Sequence, residues 1–457
     1  MESTKLPPAY LSTSIEPRAP GHPIPLTALQ HRLWRTLAKE GQPISQRMCA
    51  SAVRVFGRFD PHLFQKSIEA VLQRHESLRI RFEFTDEGPS QRVHPNCEYD
   101  FEMVNLSELS PAERERSVRR LTQEFLDGKL DVTVSPMFEA KLWRLSDQEH
   151  VAVLALDHLV SDDISNNILT RDVWESYKRA AHGLPVALPA LPVQFADYAV
   201  WQRRTYDDWM RKHAGYWRER LINAPRTQLP PDIESASVAH PMDSTVHMPF
   251  GKQLSGALRE VARREGTLLP LVVFAVYVVV MSHWLNQSEL IILFVSHGRH
   301  QRPEFENMIG LLTTNLFVRI DCHKNDTLLD LLKRVDLEFH RTLEHHDFDR
   351  VPDFIPECAT DLTFNWRSSS WTRRTRTTPE KHASDLRTQP FMARAPYWSS
   401  KFWALFYDAP GGICVTVRYR PDLLPTSTIE WFGRSLQAVA QSVCQHPLSS
   451  IGSLPLT

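Results

Sequence analysis

Apolar positions in the first 180 residues alternate between two periods. In SAVRVFGRFD (51–60) they recur at every second residue, the period of a strand with one buried face. DPHLFQKSIEAVLQRHESL (60–78) then changes to helical spacing. Phe64, Ile68 and Val71/Leu72 share one face, Asp60 stands at the N-cap position and Pro61 falls in the first turn. EAKLWRL (139–145) and HVAVLAL (150–156) read as two more strands, the second apolar on both faces and therefore central in its sheet. A short polar break follows. ISNNILTRDVWESY (164–177) then places Ile164, Ile168, Val173 and Tyr177 near one helical stripe.

HGLPVALPALPVQ (182–194), with Pro185, Pro189 and Pro192, interrupts both periods and reads as an extended connector. Beyond it, FADYAVWQRRTYDDWMRKHAGYWRERL (195–221) is aromatic-rich with a helical period. The second half repeats the mixture: HMPFGKQL, ELIILFVSHGR and NLFVRID as strands, and a helix capped at Asp326 with Leu328, Leu332 and Val335 on its face. LLPLVVFAVYVVVM (268–281) has no polar side chain except Tyr277. It falls short of the roughly 18–20 residues that span a bilayer, so a buried core helix is expected. Strands mixed with helices in both halves place the chain in the α/β (α+β) class.

Length adds a division. At 457 residues the chain exceeds what one hydrophobic core organises, so two lobes are expected. The pattern divides it into a flexible N-terminal segment (1–22), an N-terminal lobe (23–180), a connector (181–225) and a C-terminal lobe (226–457). A net charge of −1 gives no reason to expect nucleic acid as a partner. The six cysteines form no CxxC pair or dense framework, which fits reduced thiols in a cytoplasm and argues against a zinc site or disulfide scaffold. MESTKLPPAYLSTSIEPRAPGHP lacks the apolar stretch of a signal peptide, so a soluble, cytoplasmic chain is expected. RSSSWTRRTRTTPEKHASDLRTQP (367–390) carries six Arg or Lys and reads as a solvated loop, or as an electrostatic contact for an acidic partner.

The chemistry concentrates where HVAVLAL runs into DHLVSDD. Strand, short loop and helix follow one another, so the loop lies at a helix N-terminus whose free N–H groups favour developing negative charge. His158 can act there as a general base, because imidazole titrates near working pH. Asp157 and His158, adjacent at a strand end, are expected to face opposite ways. Asp162 and Asp163 also fit a helix N-cap pair.

DHLVSDDIS resembles the HHxxxDG signature of the nonribosomal peptide synthetase condensation domain, within a superfamily of carrier-protein and CoA-dependent acyltransferases. The resemblance runs along the chain in the family's order. PLTALQHRLW (25–34) is similar to the opening motif, RHESLRIRF (74–82) to the second and FADYAVWQ (195–202) to the fourth. HGRHQRPEFENMIGLL (297–312) is similar to the Gly-Arg turn and Ile-Gly segment, and YRPDLL (419–424) to the last motif.

The resemblance implies two chloramphenicol-acetyltransferase-like lobes forming a V around a central tunnel. It puts His158 on the catalytic histidine. Asp162 falls on the structural aspartate, which pairs with an arginine matched by Arg299. Asp157 replaces the supporting first histidine and Asp163 the glycine, where a left-handed backbone would be tolerable for Asp only at some cost. Ser165, Asn315 and Asn365 are assigned to the substrate tunnel. No metal and no bound cofactor are implied. Phosphopantetheine comes on a partner acyl- or peptidyl-carrier protein of a synthetase or polyketide synthase. The acceptor is an amine or alcohol, giving an amide or ester in natural-product biosynthesis. With no adenylation pattern and no Leu-Gly-Gly-x-Ser motif in these residues, the expectation is a free-standing monomer using carriers from other chains, with no nucleic acid or membrane partner.

Departures leave two alternatives open. Thr313, Thr314 and Asn315 stand where the family has Val-Asn-Thr, and HHDFDRV carries Asp349 and Arg350 in place of Pro and Phe. Asp157, Asp162 and Ser165 also spell DxxxxDxxS, the signature of heterocyclization domains. The degenerate signature equally fits a condensation-like domain that recruits a partner without catalysis.

Overall fold

A computed structural model describes residues 14–19, 21, 23–39, 44–46, 49–85, 88–95, 99, 101–133, 136–229, 244–299, 302–345, 360–367, 386–391, 401–409, 411–454 and 456. The chain divides into two compact units. The first comprises Met1–Asp208, His297–Thr313 and Thr372–Pro396, and the second Trp209–Ser296, Thr314–Trp371 and Tyr397–Thr457.

The main sheet of the first unit has the strand order Arg387–Pro390, Cys49–Phe56, Glu149–Leu156, Phe138–Ser146, Phe101–Asn105. Neighbours are antiparallel except for the last pair, which is parallel. Glu149–Leu156 is central and buried at every position after the first, as its unbroken apolar run requires. The helix Pro111–Asp127 covers one face, with Val118 and Leu126 against Trp143, Val151 and Val153. His150, of opposite parity, meets Phe59 with ring centroids 5.1 Å apart, and Phe59 stacks on Tyr177 at 5.2 Å. Tyr177 belongs to the helix Asp163–Ala181, which packs with Pro61–Arg74. A small second sheet has the order Ile24–Pro25, Gly88–Val93, Ile80–Thr85.

The helix Pro61–Arg74 begins where its sequence says it should. Asp60 accepts hydrogen bonds from the N–H groups of His62 (2.8 Å) and Leu63 (3.2 Å), and Phe64, Ile68, Val71 and Leu72 are buried. Asp60→Ala, which strands both donors, is expected to lower unfolding free energy by about 1 kcal/mol in chemical denaturation. A loss under about 0.3 kcal/mol would show that water replaces the cap.

The second unit is a six-stranded sheet in the order Ser244–Pro249, Gly412–Tyr419, Phe402–Ala409, Thr363–Arg367, Glu289–Ser296, Thr314–Asp321. Thr363–Arg367 is parallel to both neighbours. The helix Leu269–Leu285 is buried continuously from Leu271 to Met281, enclosed by the sheet and by helices Gly251–Arg264, Leu328–Glu344 and Thr426–Gln445. A helix apolar all round is what such a position demands. Among the described residues, no single helix is long and apolar enough to cross a membrane.

Several local expectations are corrected. HMPFGKQL is not one strand: the strand ends at Pro249 and a helix begins at Gly251. The aromatic stretch 195–221 is two helices, Phe195–Arg204 and Tyr206–Leu221, separated at Thr205. Thr327, not Asp326, caps Leu328–Glu344, because Thr327 and Asp330 form a reciprocal capping box while Asp326 pairs with Arg334 at 2.8 Å. Part of the basic stretch is structured, since Arg387–Pro390 is an edge strand followed by the buried Phe391. Arg373, Arg374 and Arg376, like Asp349 and Arg350, lie outside the described residues.

The units also follow the chain less simply than a linear division at residues 181–225. Residues 181–208 stay with the first unit. Residues 297–313, although they connect two paired strands of the second, return to it. The reason is apolar burial: Phe305, Met308, Leu311 and Leu312 complete a core with Trp34, Phe82, Leu159 and Phe195.

Candidate functional site

The strand Glu149–Leu156 ends in a tight turn. Asp157 N–H donates to Met137 O at 3.1 Å, the last bond of the ladder. Its carboxylate then folds back, Oδ1 accepting Leu159 N–H at 2.8 Å, as Asp side chains do when they make turns. Its carbonyl accepts from Val160 N–H (3.3 Å) and Ser161 Oγ (2.6 Å). Asp157 is 1% exposed, whereas the neighbouring His158 is half-buried. His158 Nδ1 lies 2.8 Å from Ser161 O. A carbonyl oxygen only accepts, so Nδ1 carries a hydrogen and Nε2 is the basic nitrogen of the neutral ring.

The other end of the turn is fastened by Asp162, which caps the helix Asp163–Ala181. Oδ1 accepts from Ser165 N–H and Ser165 Oγ, both at 2.8 Å. Oδ2 accepts from Arg299 Nη1 at 2.7 Å and Leu312 N–H at 3.1 Å. The Asp162 and Arg299 side chains are 3% and 0% exposed. Arg299 Nη2 also donates to Met308 O at 3.0 Å. Two glycines make this approach feasible. Gly298 has φ +69°, a left-handed backbone that other residues rarely adopt. A Cβ at Gly310 would lie 2.3 Å from the Phe195 ring.

Electrostatics follow from that packing. Burial alone would push the Asp162 carboxyl up, but the Arg299 charge and the Arg299 and Ser165 donors more than reverse this, holding it below the ordinary carboxylate range. His297 is pushed down to about 4, first by burial and then by the adjacent Arg299 charge. Its Nδ1 accepts Arg299 N–H at 3.2 Å, a bond that protonation would break. His297 is therefore expected to titrate near pH 4 in an NMR titration. The stability linked to it is complete above its unfolded pKa of about 6.5 and is lost as pH falls towards 4. A midpoint near 6.5 would contradict this burial.

The family model described as "Condensation domain" matches residues 21–457. The chain belongs to the condensation-domain family. It is 28% identical over 449 residues to one of the linear gramicidin synthase proteins of Brevibacillus parabrevis, covering 95% of this chain and 9% of that protein. It is also 28% identical over 452 residues to phosphinothricin tripeptide synthetase PhsC of Streptomyces viridochromogenes, covering 96% and 41%. The chain thus spans less than half the length of these relatives. Among solved structures, the X-domain from teicoplanin biosynthesis matches with a TM-score of 0.83 at 22% identity, covering 97% of this chain and 99% of that one. The first condensation domain of the calcium-dependent antibiotic synthetase matches at 0.72 and 15%, covering 95% and 99%. The mixed α/β architecture is therefore the condensation-domain fold. Condensation domains in general are amide-forming acyltransferases that work on carrier-bound substrates.

In this condensation domain the structure gathers Asp157, His158, Asp162, Asp163, Ser165 and Arg299 within one unit. Ser165 does not line open space, however. It is 0% exposed, with Oγ enclosed by Asp162, Arg299 Nη2 (3.0 Å) and Gly310 O (2.9 Å). Asp163 carries no left-handed strain, because it opens the helix with an ordinary helical backbone. Asn315 and Asn365 belong to the second unit, both in register with Val295 and hence in one row across its sheet. Phe294, Leu316 and Phe364 fill the core, so that row faces away from it. Among the described residues, no group of three or more His, Cys, Asp or Glu could hold a metal.

Two features were missed in the sequence. Asp172 is a buried hub that accepts from Arg74, from His75 Nε2 at 3.0 Å and from Arg171 at 2.7 Å, locking RHESLR to the helix that follows the turn. Burial, only partly offset by Asp172, holds His75 below its ordinary value. Gln30 reaches the turn itself, its Nε2 donating to Leu159 O at 2.8 Å. The legible signal was TALQ, a Thr-x-x-Gln capping box that fixes where Gln30 stands.

Proposed function

We propose that this condensation domain transfers an acyl group from the phosphopantetheine thioester of a carrier protein to an amine or alcohol, with His158 as the base that orients and deprotonates the acceptor. The observation that carries the reading is the His158 Nδ1–Ser161 O hydrogen bond, which leaves Nε2 as the basic nitrogen. The turn bearing it is tied down by Asp157 at one end and by the Asp162–Arg299 pair at the other.

In the reaction the acceptor N–H or O–H gives its proton to Nε2 as nitrogen or oxygen bonds to the thioester carbonyl carbon. When the C–S bond breaks, the departing thiolate takes that proton. A positioned base is worth roughly 10²–10⁴ in rate, and holding both reactants together is worth more. Phosphopantetheine enters as part of the substrate, so the chain needs no cofactor of its own. The test is incubation of the protein with an acyl-loaded carrier and a panel of amines and alcohols, followed by intact-protein mass spectrometry. Loss of acyl mass from the carrier with one acceptor class is the expected result. Full retention across the panel would overturn the reading.

A second reading, recruitment of a partner without catalysis, is favoured by the two carboxylates, Asp157 and Asp163, at positions where the family signature has His and Gly. The teicoplanin X-domain, similar in fold, has been solved in complex with OxyB. Under that reading no acceptor draws acyl mass from any carrier.

A further inference from the structure

The hydrogen bonds within the turn Asp157–Ser161 set its shape, but not where it stands against the rest of its unit. That second task needs bonds from outside. Met137 O holds the strand end and the Asp162–Arg299 pair the helix end, while between them Leu159 O, one residue past His158, receives a bond from Gln30. Gln30 and Gln91 are both 0% exposed and form a reciprocal amide pair. Gln30 Nε2 donates to Gln91 Oε1 at 3.0 Å, and Gln91 Nε2 donates to Gln30 Oε1 at 3.1 Å. The remaining amide hydrogens go to Leu159 O (2.8 Å) and Pro25 O (2.9 Å), and Gln30 Oε1 also accepts Thr27 N–H at 2.9 Å. Every amide hydrogen of the pair is used. Turning the Gln30 amide over would set its oxygen against Leu159 O and Gln91 Oε1, so only one orientation is tolerable.

The support behind the pair is firm. Gln30 lies in the first turn of the helix Ala28–Lys39, where it donates its own N–H to Thr27 Oγ1 at 3.2 Å. Gln202 Oε1 in turn accepts Ala28 N–H at 2.8 Å. We infer that Gln30, backed by Gln91, is a positioning residue that sets the His158 imidazole by holding the Leu159 carbonyl. This rests on the acyl-transfer reading for its functional meaning, though not for its geometry. A displacement of about 1 Å at a reacting group can lower a rate up to about 10²-fold.

The test uses two variants of the full chain, because the obvious one removes the helix cap as well. Gln30→Glu keeps the size and the acceptor for Thr27 N–H, but turns the donor facing Leu159 O into an oxygen. Gln30→Met removes both functions. Each is assayed for kcat and KM with a loaded carrier. The His158 ring nitrogens are also followed by NMR on histidine-labelled protein at pH 8, with His158→Ala identifying the signal among the 20 histidines. The expected result is a kcat lower by about 10- to 100-fold, an unchanged KM for the carrier and His158 nitrogen signals no longer those of a single Nδ1–H tautomer. Folded variants with wild-type signals and kcat within about twofold of wild type would overturn the proposal. If His158→Ala is as active as wild type, the role of His158 as the base fails by itself, and if wild type draws no acyl mass from any carrier, the acyl-transfer reading fails. The ring signals of the Gln30 variants still decide whether Gln30 positions His158.

Discussion

Arg299→Met and Asp162→Ala are each expected to lower unfolding free energy by about 3–5 kcal/mol, read by chemical denaturation at neutral pH. Both side chains are out of water, at 0% and 3% exposure, so removing either strands the other's charge. Arg299→Met also leaves Met308 O without its donor, and Asp162→Ala uncaps a 19-residue helix. Replacing both with apolar residues should cost less than the sum of the single losses, because no charge is then left alone. Acid narrows the gap between wild type and Asp162→Asn. The folded carboxyl titrates below its unfolded value of about 3.9, so its stabilisation is complete above that pH and disappears as pH falls through the folded value. An Asp162→Ala protein that melts like wild type would refute this account of the turn.

The second large effect separates two signatures written in the same letters. Asp157→Asn should keep most acyl transfer, because an Asn oxygen can still accept Leu159 N–H as Asp157 Oδ1 does. His158→Ala should lower it by at least about a hundredfold. A heterocyclization enzyme inverts the pair, with Asp157 essential and His158 a bystander. Asp157 at 1% exposure with its Oδ1 engaged in the turn, beside a half-buried His158, favours the first outcome. Ser165, the serine of the alternative signature, is enclosed in the Asp162–Arg299 network rather than open to a substrate.

Much of this was legible in the sequence where one physical rule dominates. The strand at 150–156 had to be central because no position in it tolerates water, and the helix after Asp60 announced its cap and its apolar face. The Asp162–Arg299 pair was legible only through resemblance, since 137 residues separate the partners and nothing in the spacing joins them. Ser165 was misplaced because a hydroxyl near a signature reads equally well as a ligand for substrate or for the protein's own carboxylate. Asp163 in place of a glycine raises the question of a left-handed backbone, yet the position is a helix start and needs no special backbone. Division of the chain at 181–225 was misleading for a related reason. Linear composition cannot reveal that Phe305, Met308 and Leu311 complete a core begun by Trp34. Gln30 escaped notice because a glutamine in a helical pattern looks like surface until its capping partner and its buried amide twin are both in place.

Acyl transfer driven by His158 on this turn is what remains to be measured. The most direct measurement is the rate at which a loaded carrier protein passes its acyl group to an acceptor, followed by intact mass for wild type and His158→Ala side by side. The expected result is a linear amide or ester from wild type and a rate lower by at least about a hundredfold in the folded variant. Equal rates in the two proteins would contradict it, as would a product lighter than the linear one by two hydrogens and one oxygen.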